Sequence, residues 1–140
     1  MSDSVLQRYT GRAAANIERR LEDTLPTDVE VADDLEAFGW LRGIRDRAIM
    51  LELRKKNGNI LAIGYGWIEK MEFDPSEGIT LHALGQKFRI KGRNLNSEVR
   101  PMVRLFDGMC RHRVPWIQEA DEHNGFKADK SAAIVGMIEW

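Results

Sequence analysis

Apolar and polar positions change period three times along this chain. Between residues 4 and 23 an apolar residue returns every four positions, at Val5, Tyr9, Ala13, Ile17 and Leu21. That spacing predicts a helix with one apolar stripe, weakened at Gly11 and stopped before Pro26. TDVE at 27–30 has capping-box spacing, with Thr27 as cap and Glu30 reaching back. A short acidic helix over 28–38 and an irregular segment both remain open there. FGWLRG at 38–43 predicts a turn anchored in the core by Phe38 and Trp40.

From residue 46 the pattern alternates and favours β-formers. It predicts a strand over 46–55, a hairpin at KNGN (56–59) and a return strand over 59–73. Asn-Gly suits a type I′ turn, which needs positive φ at both central residues. Gly64 and Gly66 flank Tyr65 and mark a bulge or sharp bend in the return strand. DPSEG (74–78) is turn chemistry. A third strand follows at 78–83, a tight turn at LGQ, and a fourth strand at 86–91. The period then returns to 3.6. Val99, Met102, Val103, Phe106, Met109 and Cys110 share a face of a predicted helix over 97–112, with Asn96 as cap and Pro101 in the first turn. Residues 114–130 read as polar and irregular. SAAIVGMIEW (131–140) reads as a strand, with a short helix as the alternative.

The expected fold class is therefore α+β in one domain over 1–140. It has an N-terminal helix, a four- to five-stranded antiparallel meander, an amphipathic helix and a short C-terminal strand. KNGN, the GYG bend and FDPSEG give residues 46–91 a pattern that resembles the small barrels of Sm-like and SH3-like proteins. The resemblance implies that the meander curls into a small barrel, and it implies no activity.

At 140 residues the chain is long enough to form a core without a disulfide or metal. Its single cysteine, Cys110, suits a reducing compartment. The first twenty residues lack an apolar core of signal-peptide length, and no apolar run reaches the roughly 18 residues that span a bilayer. A cytoplasmic protein with no membrane partner is expected. The net charge of -1 excludes a global pull toward nucleic acid, but the distribution is uneven. Residues 21–41 hold seven acids and no base, whereas residues 86–113 hold eight bases and two acids.

The candidate chemistry lies in MCRHRVPWIQEADEH (109–123). On a helix, Cys110 and His112 project about 200° apart and cannot share a metal. Cys110 then falls on the apolar face as a small hydrophobe, with His112 at its edge. His123 stands in a polar loop with Glu119, Asp121 and Glu122. Packing and capping account for these residues, so no catalytic residue, metal or cofactor is expected. A small enzyme or metal-binding protein using Cys110, His112 and His123 is the alternative. GYGWIE lacks the third glycine of a phosphate loop. Asp74 and Glu77 read as turn-capping carboxylates, and His82 as a structural histidine.

The most consistent constellation is basic. Lys87, Arg89 and Lys91 share one strand face and Arg93 extends the line. On a helix over 97–112, Arg100, Arg104 and Arg111 fall within roughly 40° of one another. These seven residues are the candidate anion or nucleic-acid site. A solvated face, or pairing with the acidic 21–41 segment, is the plainer account. The leading expectation is a non-enzymatic binding or assembly module whose partner is another protein or a second copy, because a short sheet leaves edges to cover. Nucleic-acid binding through the arginines is the alternative.

Overall fold

The structure, a computed structural model, describes residues 31–121 and 131–140. By its internal contacts the chain divides into Met1–Val31 and Ala32–Trp140. The second unit holds β1 (Ala32–Asp34), β2 (Gly39–Leu41), β3 (Met50–Arg54), β4 (Ile60–Gly64), a 3-10 turn (Tyr65–Trp67), β5 (Ile68–Asp74), β6 (Gly78–Ala83), β7 (Gln86–Arg93), α1 (Leu105–Cys110), β8 (Trp116–Gln118) and β9 (Ile134–Glu139). The expected N-terminal helix over 4–23 lies outside the described residues.

The α+β expectation is overturned. Among the described residues the only α-helix spans six residues, and the strands form three sheets, ordered β1-β2, β4-β3-β8 and β5-β6-β7-β9. None closes into a barrel, so the small-barrel resemblance fails as well. The continuous meander fails at one place. Tyr65 is buried and its hydroxyl donates to the Val114 carbonyl at 2.6 Å. The backbone turns there, and the predicted return strand over 59–73 becomes β4 in one sheet and β5 in another. The sheet of β3 is completed instead by β8, parallel to it, with Glu52 opposite Trp116 and Arg54 opposite Gln118. Trp116–Gln118 is thus a strand inside the stretch 114–130 that reads as irregular, of which residues 122–130 lie outside the described residues.

Turn chemistry explains the other departures. At KNGN only Gly58 takes positive φ (96°). The Gly58 amide donates to the Lys55 carbonyl at 3.0 Å and the Lys55 amide to the Asn59 carbonyl at 2.8 Å. This is a three-residue loop with glycine in the left-handed region, not type I′. The I′-like pair of positive φ values stands at Leu84 (55°) and Gly85 (76°), between β6 and β7.

The helix over 97–112 is corrected to Leu105–Cys110. The Val103 amide donates to the Arg100 carbonyl at 2.9 Å, and Met102 has φ of 68°. Those features define a type II turn in which Pro101 occupies the position that its fixed φ favours. The Val99 amide closes onto the Val103 carbonyl at 2.9 Å, so residues 99–103 double back. The N-cap position belongs to Arg104 and not to Asn96, whose Oδ1 instead accepts the Asp107 amide of the first turn at 3.2 Å.

One apolar core joins all three sheets. Phe38, Leu41, Leu51, Leu53, Ile79, Leu81, Phe88, Ile90 and Ile117 are buried in it. Burying each such side chain contributes about 1.5–3 kcal/mol. The Trp40 ring lies against Gly108 so closely that a Cβ there would overlap its Cζ3. Arg113, itself buried, donates to the carbonyls of Leu41, Gly43, Ile44 and Asp46 and so pins the 41–47 loop. Burial, and then the Arg47 charge, lowers its affinity for the proton.

Candidate functional site

The basic residues do not gather into one stripe. Arg100 sits in the 99–103 turn, Arg104 just before α1 and Arg111 just after it. Arg100 pairs with Asp33 at 2.6 Å, and Asp33 also accepts Arg42 at 2.6 Å. The Arg100 and Arg42 hydrogen bonds hold the Asp33 carboxyl below its ordinary value. Arg111 pairs with Asp107 at 3.3 Å.

Lys87, Arg89 and Lys91 do share the outward face of β7, while Phe88 and Ile90 turn inward. That face is mixed in charge. Lys91 pairs with Glu139 at 2.9 Å, and Arg89 stands opposite Glu139 across the β7–β9 ladder. Glu72 on β5 takes His82 at 2.6 Å and Lys70 at 3.7 Å. The His82 and then Lys70 contacts hold Glu72 low, and Lys91 does the same for Glu139. Lys87, Arg93 and Arg104 make no ion pair among the described residues.

Cys110 and His112 take up different surroundings. Cys110 is exposed, against the expectation of a buried apolar position, because α1 turns its last residue outward. Partial burial of its sulfur and the Asp107 carboxylate push the thiol above its ordinary value, away from a thiolate nucleophile. The His112 ring stacks on Tyr65 with centroids 4.4 Å apart. His123 lies outside the described residues. Among those described, no group of three His, Cys, Asp or Glu residues could hold a metal ion. Asp74 caps its turn, its Oδ1 accepting the Ser76 amide at 2.8 Å and the Ser76 hydroxyl at 2.7 Å. No described helix is long and apolar enough to cross a membrane.

A different surface stands out, and it was not singled out from the sequence. β4 reads ILAIG, has no charge, and forms the end of its sheet. Leu61 and Ile63 turn toward the core. Ile60, Ala62 and Gly64 are on the other face. The Lys55–Asn59 and Ile49–Tyr65 hydrogen bonds fix the phase of the hairpin. The N–H and C=O groups of Ile60, Ala62 and Gly64 therefore point away from β3, along the outer edge. Among the described residues no strand pairs with that edge.

Beside it lie large exposed apolar side chains: Ile49 (75% exposed), Met50 (44%), Ile60 (57%) and Trp67 (66%). Trp67 lies over Gly64, where a Cβ would stand 2.9 Å from its Cδ1, and the Met50 sulfur would be 3.7 Å from the same point. The sequence signal was present, as an uncharged run between a hairpin turn and GYG. Its meaning depends on β5 leaving for another sheet. Comparison with family models, curated proteins and solved structures finds no match for this chain.

Proposed function

We propose that this protein is a non-enzymatic binding and assembly module that takes up an extended segment along the outer edge of β4. The observation that carries the reading is the coincidence of an uncharged strand edge, unpaired among the described residues, with exposed apolar side chains at Ile49, Met50, Ile60 and Trp67. Strand addition gains affinity from main-chain hydrogen bonds and selectivity from alternate side chains, and this edge offers both. Soluble proteins ordinarily blunt such edges with charge, proline or bulges, and β4 has none of these. An exposed lone cysteine fits a reducing, cytoplasmic setting. The test is a labelled peptide with the sequence of residues 58–66, titrated into the full chain and read by fluorescence anisotropy. Saturable binding is expected, weakened by Ala62→Lys and unaffected by Lys87→Glu. No binding to the folded chain contradicts the reading.

A second reading, an anionic partner or nucleic acid, draws on Lys87, Arg93 and Arg104, which have no acidic partner among the described residues. Arg89, Lys91, Arg100 and Arg111 would have to give up or share carboxylates to join them. Anisotropy with mixed-sequence RNA and DNA at two salt concentrations tests it. Binding that weakens with salt and is lost on Lys87/Arg93/Arg104→Glu supports it, and no binding at low salt removes it.

A further inference from the structure

We infer that the segment taken up by β4 is β4 of a second copy, paired antiparallel about a two-fold axis at Ala62. This rests on the reading of β4 as a binding edge and names its partner.

The argument is one of self-complementarity. In an isologous contact each residue at distance n before the axis meets the residue at distance n after it. With the axis at Ala62, Ile60 faces Gly64 of the second copy and Leu61 faces Ile63. The largest outward side chain of the strand thus meets the residue with none, and the small Ala62 meets itself. The edge groups of Ala62 and Gly64 find partners, since residues 60, 62 and 64 all direct their backbone outward in the same phase.

Charge does not oppose the pairing. A two-fold axis sets like charges against each other wherever a charged residue lies close to it, and such pairs are destabilising. None of Ile60, Leu61, Ala62, Ile63 and Gly64 is charged. The side chains flanking the axis are suited to being covered. Ile60 of one copy arrives at Gly64 of the other, where Trp67 and Met50 each lie within 4 Å of that glycine's Cβ position and offer it apolar contact. Leu61, half-buried at the sheet margin, gains an apolar neighbour in Ile63 of the second copy.

β5 lacks this side-chain complementarity. About its central Met71, Lys70 would face Glu72 but Ile68 would face Asp74, an apolar side chain against a carboxylate.

The test is sedimentation equilibrium of the full chain up to about 1 mM, where weak interfaces associate. It is run for the unsubstituted chain, for Ala62→Lys, for Ala62→Glu and for an equimolar mixture of the two variants. A monomer–dimer equilibrium is expected for the unsubstituted chain. Each variant alone places like charges on the axis, and its dissociation constant rises by about tenfold or more. The mixture places Lys against Glu and restores dimerisation. Circular dichroism confirms that both variants fold, as an exposed edge position permits.

Dimerisation that either variant leaves intact, or a mixture that stays monomeric, overturns the axis. An unsubstituted chain that stays monomeric overturns self-pairing. The residue 58–66 peptide then separates the two failures: if it still binds, β4 remains a binding edge for another protein, and if it does not, the binding-edge reading falls too.

Discussion

β4 and β5 follow each other in the chain with three residues between them, and each becomes the outer strand of its sheet. Their sequences treat the same problem in opposite ways. β5 reads IEKMEFD and presents Glu69, Lys70, Glu72 and Asp74, with a register shift between Ile68 and Lys70. Charge and irregularity are the ordinary means of discouraging a further strand. β4 reads ILAIG, keeps a regular register from Met50–Gly64 to Arg54–Ile60, and has neither. One edge is closed by its chemistry and the other, among the described residues, is left unpaired. That difference, more than any cluster of titratable groups, is what gives this molecule a candidate function.

The largest effect that sharpens the comparison is on stability. Ile63 on β4 is 3% exposed, whereas Met71 on β5 is half-buried. Ile63→Ala should cost about 3 kcal/mol and Met71→Ala about half as much, measured by urea denaturation. Equal costs would mean that β4 is a looser strand than its burial indicates. Next is the loop that builds the β4 edge. Gly58→Ala puts a Cβ on a residue with φ of 96° and should cost about 1 kcal/mol, and the unsubstituted Cβ position meets no neighbour that would add a clash.

The smallest effect is the acid dependence of the β5 sheet. Glu72, Asp74 and Glu139 are each held below the ordinary carboxylate value by hydrogen bonds, from His82, Ser76 and Lys91 respectively. Folded carboxyls with lowered values bind fewer protons than unfolded ones. Their stabilising contribution is whole above the unfolded value of about 4 and is lost as pH falls through the lower folded values. Melting temperature should therefore drop in that range. Glu72→Gln should flatten the drop slightly, while Ala62→Ser on β4 should leave it unchanged. A pH profile indifferent to Glu72 would show that β5's charges guard an edge without stabilising the fold.

How much of this was legible in the sequence follows the range of the interactions involved. β6 spans the predicted 78–83, and β7 begins at the predicted residue 86, because alternation and a tight turn are local signals. Asp74's capping role was also local chemistry, whereas Asn96 meets the Asp107 amide eleven residues on and caps no helix beginning at residue 97. The helix over 97–112 was misread because apolar residues spaced three and four apart occur equally well in a chain that doubles back. Val103 and Met109 are buried as that pattern required, but Met102 is 79% exposed at the turn. Pro101 and Met102 carried the competing signal.

The parallel pairing of β3 with β8 was not legible, since it joins Glu52 to Trp116 across the chain. The bend at Tyr65 was marked by its glycines, but its consequence was not. Only the Val114 carbonyl that holds Tyr65 shows that the strand ends there. Lys91 and Arg100 stand in the basic set read from the sequence, yet their partners, Glu139 and Asp33, lie far away in it. The β4 edge was missed for the same reason, since a strand's position in its sheet is a long-range fact.

The most direct measurement of that edge is amide hydrogen exchange by NMR, residue by residue, at low and high concentrations of the full chain. Leu61 and Ile63 donate toward β3 and should be protected at both. Ala62 and Gly64 should exchange rapidly when dilute and gain protection when concentrated or when the residue 58–66 peptide is added. That alternation along four consecutive residues is the signature of a strand joining the edge. Unchanged rapid exchange at Ala62 and Gly64 under every condition would contradict the account, and so would protection already complete in the dilute chain.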